Sequence, residues 1–145
     1  MKLKQLTTPL FVFLFGGLIY VLFRTDSIRF FDYLTYVGLD ESLSIIRSIT
    51  LPMNQFIPEW VIYSLPDGLW LFSFSLLVNL IWSREDRLRF WFWTLLFPCT
   101  AIIWELGQAF QVFSGTFDWT DTFIYLTVTF LIIYRNQTIN YEKTT

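Results

Sequence analysis

"WELGQAFQVFSGTFDWTDTF", residues 104–123, sets Glu105, Gln108 and Gln111 among large apolar side chains, then runs through a Gly-containing turn to Asp118 and Asp121. Long apolar blocks flank it, so it reads as one helix ending, a turn, and another helix beginning. If the flanking helices cross a membrane, Glu105 lies about 12 Å below the end of its helix, counted at 1.5 Å per residue. A carboxylate at that depth costs a few kcal/mol unless it is protonated, paired or hydrated. Gln108 falls one turn above Glu105 on the same face and Gln111 continues the stripe, which predicts a polar track running inward from the surface.

The rest of the chain supports the membrane reading. Of its 145 residues, 54% are hydrophobic, 21% aromatic and 15% charged, and the mean hydropathy is +0.51. A soluble domain would be roughly 45–50% apolar with about a quarter of its residues charged. Apolar blocks at about 8–23, 65–82, 88–113 and 120–134 predict an all-α fold: a four-helix transmembrane bundle forming a single domain over 1–145. Each block approaches the ~20 residues that a crossing helix needs. Lys2 and Lys4 precede the first block, but no Ala precedes Ala101, so signal cleavage of the Ala-x-Ala kind is not expected and the block reads as an uncleaved anchor. The net charge of -2 and the lack of a basic run argue against a nucleic-acid partner. Cys99 is alone, which excludes an internal disulfide. Histidine is absent, and with it the commonest proton carrier near neutral pH and the commonest metal ligand. No cofactor and no metal are expected.

Charge sets the orientation. Lys2, Lys4, Arg84, Arg87, Arg89, Arg135 and Lys143 fall on one side of a four-span arrangement, and Arg24, Arg29 and Arg47 on the other. The more basic side is cytoplasmic, which puts both termini and the "SREDRLR" loop there. Asp26, Asp32, Asp40, Glu41, Glu59, Asp67, Glu105, Asp118 and Asp121 lie outside or in the outer half, whereas Glu85, Asp86 and Glu142 lie inside. Between the first two spans runs an external segment, 24–59. Within it "DESLSIIRSI" predicts a short helix capped by Asp40, with Leu43, Ile45, Ile46 and Ile49 on a face suited to the headgroup region. Trp60, Tyr63, Trp70 and Trp119 bracket the outer boundary, and Trp82, Trp91 and Trp93 the inner one, as an aromatic belt would.

Several acids have an ordinary structural explanation. Ser64 and Asp67 have capping-box spacing with Pro66 in the first turn, and Asp118 and Asp121 repeat that spacing at the start of the fourth block. Capping does not explain Glu105, which is mid-helix. Ser75 lies eight residues below Asp67, and Tyr125 sits at similar depth in the fourth block, so both are candidate partners for Glu105. Asn79 is deeper and reads as inter-helix glue. Two readings stay open: a buried hydrogen-bond network, or an acid-lined, water-filled pocket open to the outside. The pocket is favoured because ionisable groups within a membrane usually mark sites.

Glu105, Gln108 and "GTFDWTD" with Asp118 and Asp121 resemble the signature of the VanZ-like membrane proteins: Glu-x-x-Gln, a turn, and an Asp opening the last helix. The resemblance covers about residues 60–135. It matches Glu105, Gln108 and Asp121 to the shared polar positions and implies a bacterial cytoplasmic-membrane protein linked to resistance against glycopeptides and other envelope-acting agents. Two departures stand out. Many members carry an Arg in the turn, where this chain has Gly115 and Thr116. Many carry an Asn and then a Gly after the Asp, where this chain has Tyr125 and Thr129.

The expected function is therefore that of a non-enzymatic envelope protein. Its outward-facing pocket, built from Asp67, Glu105, Gln108, Asp118 and Asp121 with Ser75 and Tyr125 beneath, would bind an amphiphile, a lipid headgroup or a cationic antimicrobial. Trp70, Trp104 and Trp119 would add cation–π contacts. The alternatives are an intramembrane enzyme acting on a lipid-linked envelope precursor through its clustered carboxylates, or a structural subunit of a homo-oligomer or larger membrane assembly. The enzyme reading is disfavoured by the absence of His and of a nucleophile with a base beside it.

Overall fold

The computed structural model describes residues 3–24, 33, 36, 38, 40–82 and 87–142, of which 3, 4, 40 and 137–142 are described as backbone only. Most of these residues are helical, with no strand among them: α1 (Leu3–Phe23), α2 (Asp40–Thr50), a 3₁₀ turn (Leu51–Phe56), α3 (Glu59–Tyr63), α4 (Leu65–Ile81), α5 (Arg87–Ala109) and α6 (Trp119–Glu142). The expected cap at Asp40 lies outside the described side chains. So do the charges assigned to Lys2, Lys4, Asp26, Arg29, Asp32, Arg84, Glu85, Asp86, Glu142 and Lys143.

α4 is the shared partner, packing against α1, α5 and α6. It runs antiparallel to α1. Ser73 Oγ donates to the Pro9 carbonyl at 2.7 Å, Trp70 Nε1 to the Phe13 carbonyl at 3.1 Å, and Tyr20 meets Trp70 at 5.3 Å. Trp70, expected on the outer belt, is therefore wedged between helices. It runs parallel to α6, where Gly68 faces Ile124 and Asn79 faces Asn136. With α5 it forms a hairpin in which Phe74 stacks on Phe97 and Trp82 on Trp93. α1, α4, α5 and α6 thus run up, down, up and down. The chain enters α4 by a near-continuous route from α3, because Ser64 has helical dihedrals and its side chain makes no cap bond. The expected Ser64–Asp67 capping box does not form: Ser64 is buried and helical, so its hydroxyl cannot reach back over the first turn as an extended N-cap residue does.

The interior joins a small apolar core of Leu71, Val128 and Ile132 to many small polar residues, and the exterior is rich in large apolar side chains. Ser64, Ser73, Ser75, Thr94, Glu105, Thr122 and Asn136 are buried, whereas Phe11, Leu14, Phe92, Ile103, Phe123 and Phe130 are exposed. Hydroxyls are satisfied locally: Ser75 bonds the Leu71 carbonyl, Thr127 that of Phe123 and Thr129 that of Tyr125. Gln5–Phe23 and Arg87–Ala109 are long and apolar enough to cross a membrane, which suggests membrane association. Of the other two expected spans, Leu65–Ile81 is apolar but shorter. α6 is long enough, yet its Thr, Asp and Asn residues lower its hydropathy.

The segment before α4 caps α1. The last turn of a helix leaves carbonyls without partners. Here Arg47 donates to the carbonyls of Val21 and Arg24, Thr50 Oγ1 to that of Leu22 at 2.8 Å, and Asn54 Nδ2 to that of Phe23 at 2.9 Å. The buried Arg47 guanidinium also opposes the negative end of the α1 dipole. Ile45, Ile46 and Ile49 remain exposed on α2, an unpartnered apolar face.

A Cβ at Gly68 would lie 2.3 Å from Ile124 Cγ2. Gly68→Ala is expected to push α4 from α6 and cost about 1–3 kcal/mol, as overpacking does. Thermal unfolding of the purified chain in detergent measures this, and adding Ile124→Ala should recover part of the loss.

Candidate functional site

Arg24 follows the end of α1, Asp67 lies in the first turn of α4, Glu105 is in the last turns of α5, and Asp118 and Asp121 open α6. The up-down-up-down order brings all of these to one end. Glu105 lies in the electrostatic field of Asp121, Asp118 and Asp67, and Asp67 in that of Arg24 and Asp121. Tyr125 is in reach of Asp67, Asp121, Glu105 and Arg24. Sequence spacing sets Glu105 about 12 Å below the rim that Asp67 and Asp118 occupy; with the helix ending at Ala109, Glu105 instead lies one turn from the rim, beside Asp118.

Glu105 is only 5% exposed. Its Oε2 accepts from the Asp118 backbone amide at 3.3 Å, so the carboxylate holds the start of α6 against α5. Asp118 is itself the N-cap: its Oδ1 accepts from the Thr120 amide at 2.7 Å, and its carbonyl from the Thr122 amide. Asp121, three residues further on, has a buried Oδ1 with no hydrogen-bond partner. Ser75 does not join the cluster through a bond to Glu105. Its hydroxyl is taken by its own helix, at 2.9 Å from the Leu71 carbonyl.

The turn is built around Gln108. With the amide oxygen accepting from Trp104 Nε1 at 3.0 Å, the nitrogen donates to the Thr116 carbonyl at 3.1 Å. Gly115 has φ +132°, and a Cβ there would come within 2.4 Å of the Gln108 side-chain amide, so both backbone and space call for glycine. A Cβ on Gly107 would strike the Phe113 ring, which stacks on Trp104 at 4.6 Å. α5 ends at Ala109, short of the expected 113. Gln111 has φ +58°, and the amides of Val112 and Phe113 turn back to the Gly107 carbonyl. Gln111 therefore belongs to a left-handed helix stop and is exposed, not part of an inward track: the wrap of Phe113 over Gly107 ends the helix first.

The surface above the cluster carries Asp118, exposed, beside the exposed rings of Trp104 and Trp119. Glu105 lies beneath it as a buried anchor. Arg24 was not singled out as part of the site; its guanidinium sits over the rings of Tyr20 and Tyr63, 4.9 and 5.5 Å from their centroids. The available signal was a lone cation closing an apolar block on the acid-rich side. Among the described residues no set of three or more His, Cys, Asp or Glu side chains gathers as metal ligands do. Cys99 is exposed rather than packed. No known protein family, curated protein or solved structure matches this chain.

Asp118→Ala is expected to lose about 1 kcal/mol of stability through the missing cap, while Asp118→Asn stays close to wild type. Thermal melts of the two variants decide this.

Proposed function

We propose that the chain is a four-span, multi-pass protein of the bacterial cytoplasmic membrane, VanZ-like in character. Its acidic outer end binds the cationic group of an amphiphile, a lipid headgroup or an antimicrobial, as part of an envelope-stress or glycopeptide-resistance function. The observation that carries the binding reading is the buried, unpartnered Asp121 Oδ1 close to Glu105, which also lies in the field of Asp67 and Asp118. A buried acceptor without a donor is costly, and an ammonium or guanidinium from a ligand would satisfy it. Clustered acids at a low-dielectric boundary draw cations, and the exposed Trp104 and Trp119 rings offer faces for the same charge.

Four spans are supported by the inside-out distribution of side chains on α6, where Phe123, Leu126, Phe130 and Leu131 are exposed and Thr122, Val128 and Ile132 buried. Hydropathy scales count the α6 threonines as polar, but hydroxyls bonded to their own helix carbonyls lose much of that cost in lipid. α2 then lies along the outer interface, with Ile45, Ile46 and Ile49 toward acyl chains. The Glu105–Gln108–Asp121 resemblance supplies the link to envelope defence.

Topology is testable in a Cys99→Ser background. Thr116→Cys is expected to react with a membrane-impermeant maleimide in intact cells, and Arg89→Cys only after permeabilisation. Function is testable with Glu105→Gln and Asp121→Asn. Both variants should reach wild-type levels in the membrane yet lose protection in a glycopeptide or cationic-peptide challenge. Parallel loss of protein level and protection would instead assign Glu105 to a purely structural network.

A further inference from the structure

A second polar site lies at the opposite end of the bundle. A cavity of about 370 Å³ opens where α1 begins and α4 and α6 end, lined by Gln5, Thr8, Asn79, Arg135 and Asn136, with Pro9 and the Leu76 and Leu80 side chains as its apolar walls. That volume is at the lower end of the range for small-ligand sites. Among the described residues no carboxylate lines it. The lining offers a guanidinium, a hydroxyl and three amides, a donor set that matches an anion.

The polar groups are held in place by the fold. Thr94 Oγ1 donates to Asn79 Oδ1 at 2.7 Å, and Asn79 Nδ2 in turn donates to Asn136 Oδ1 at 3.3 Å. Thr94 and Asn136 are almost wholly buried, so the chain of bonds fixes both lining amides from behind. Proline has no amide hydrogen, so Pro9 cannot bond the Gln5 carbonyl four residues earlier. Ser73 ties the Pro9 carbonyl to α4 and sets the wall on that side. Arg135 is exposed at the mouth and free to swing its planar fork over an oxyanion.

We infer that this cavity holds the phosphodiester of an anionic phospholipid of the cytoplasmic leaflet. Arg135 grips the phosphate, the Thr8 hydroxyl and the amides bond its oxygens, and the lipid's glycerol end lies along Leu76 and Leu80. The chemistry shared with a free phosphate is the oxyanion. The lipid is favoured because the cavity joins polar donors to apolar walls between helices that carry exposed Phe and Leu side chains. Basic pockets between helices on the cytoplasmic side commonly take such headgroups. The assignment to that leaflet rests on the topology proposed above; binding itself does not.

The test uses the purified full chain in zwitterionic detergent, followed by thermal unfolding during titration with phosphatidylglycerol, phosphatidylcholine or inorganic phosphate. Phosphatidylglycerol is expected to raise the midpoint in a concentration-dependent way, and phosphatidylcholine much less. Arg135→Gln should weaken the phosphatidylglycerol effect by roughly ten- to a hundredfold in affinity, the loss of a charge-assisted contact. Arg89→Gln removes the same charge outside the cavity and should leave the effect intact. Equal weakening by both variants would mean general surface charge and overturn the inference. A response to inorganic phosphate alone would overturn the lipid as the source.

Discussion

Everything in this fold is arranged around α4, which gives up its faces to α1, α5 and α6. Such sharing requires close helix approach, and small residues provide it. Gly68 leaves room for Ile124, Gly16 for Trp70, and Ser73 comes near enough to bond the Pro9 carbonyl. Tight packing of small residues and internal hydrogen bonds are the contacts that would hold such helices together in lipid, where hiding apolar surface from one another gains little. Because α4 and α6 run parallel in one register, the Gly68–Ile124 contact and the Asn79–Asn136 bond come from the same alignment. That register sets the acids at one end and the amides at the other.

The two ends differ in sign. At the acid end, Asp67, Asp118 and Asp121 surround Glu105, and Asp67 also lies near Arg24, whose guanidinium rests over Tyr20 and Tyr63. At the other end, Arg135 stands beside amides and a hydroxyl, with no acid among the described residues of the cavity lining. The polar groups do structural work at both ends. Glu105 pins the start of α6, and the Thr94–Asn79–Asn136 chain joins α5, α4 and α6. Of the two open readings of the sequence, the network is visible in the bonds of Glu105 and Asp118 within the fold, and Asp121 keeps a buried acceptor without a partner.

The segment between α1 and α4 links these features. Arg47, Thr50 and Asn54 take up the carbonyls at the end of α1. This cap fixes where Arg24 leaves the helix, and so where the counter-charge to Asp67 stands.

The sequence alone determined the all-helical character, the apolar blocks and a Gly-containing turn between Glu105 and Asp118; it set Glu105 too deep, because it ran the helix on to 113 where the fold stops it at Ala109. The first three follow from hydropathy and glycine placement, which act over a few residues. Asp118 as a cap was legible for the same reason; Ser64 as a cap was not, because the run from α3 into α4 overrides the local preference. Only tertiary structure could decide that Gln111 falls in a helix stop and Trp70 between helices. The same holds for Ser75 bonding its own helix and for Arg47 reaching across more than twenty residues to close α1. Those outcomes depend on which carbonyls and spaces other helices leave open, and no local pattern carries that information.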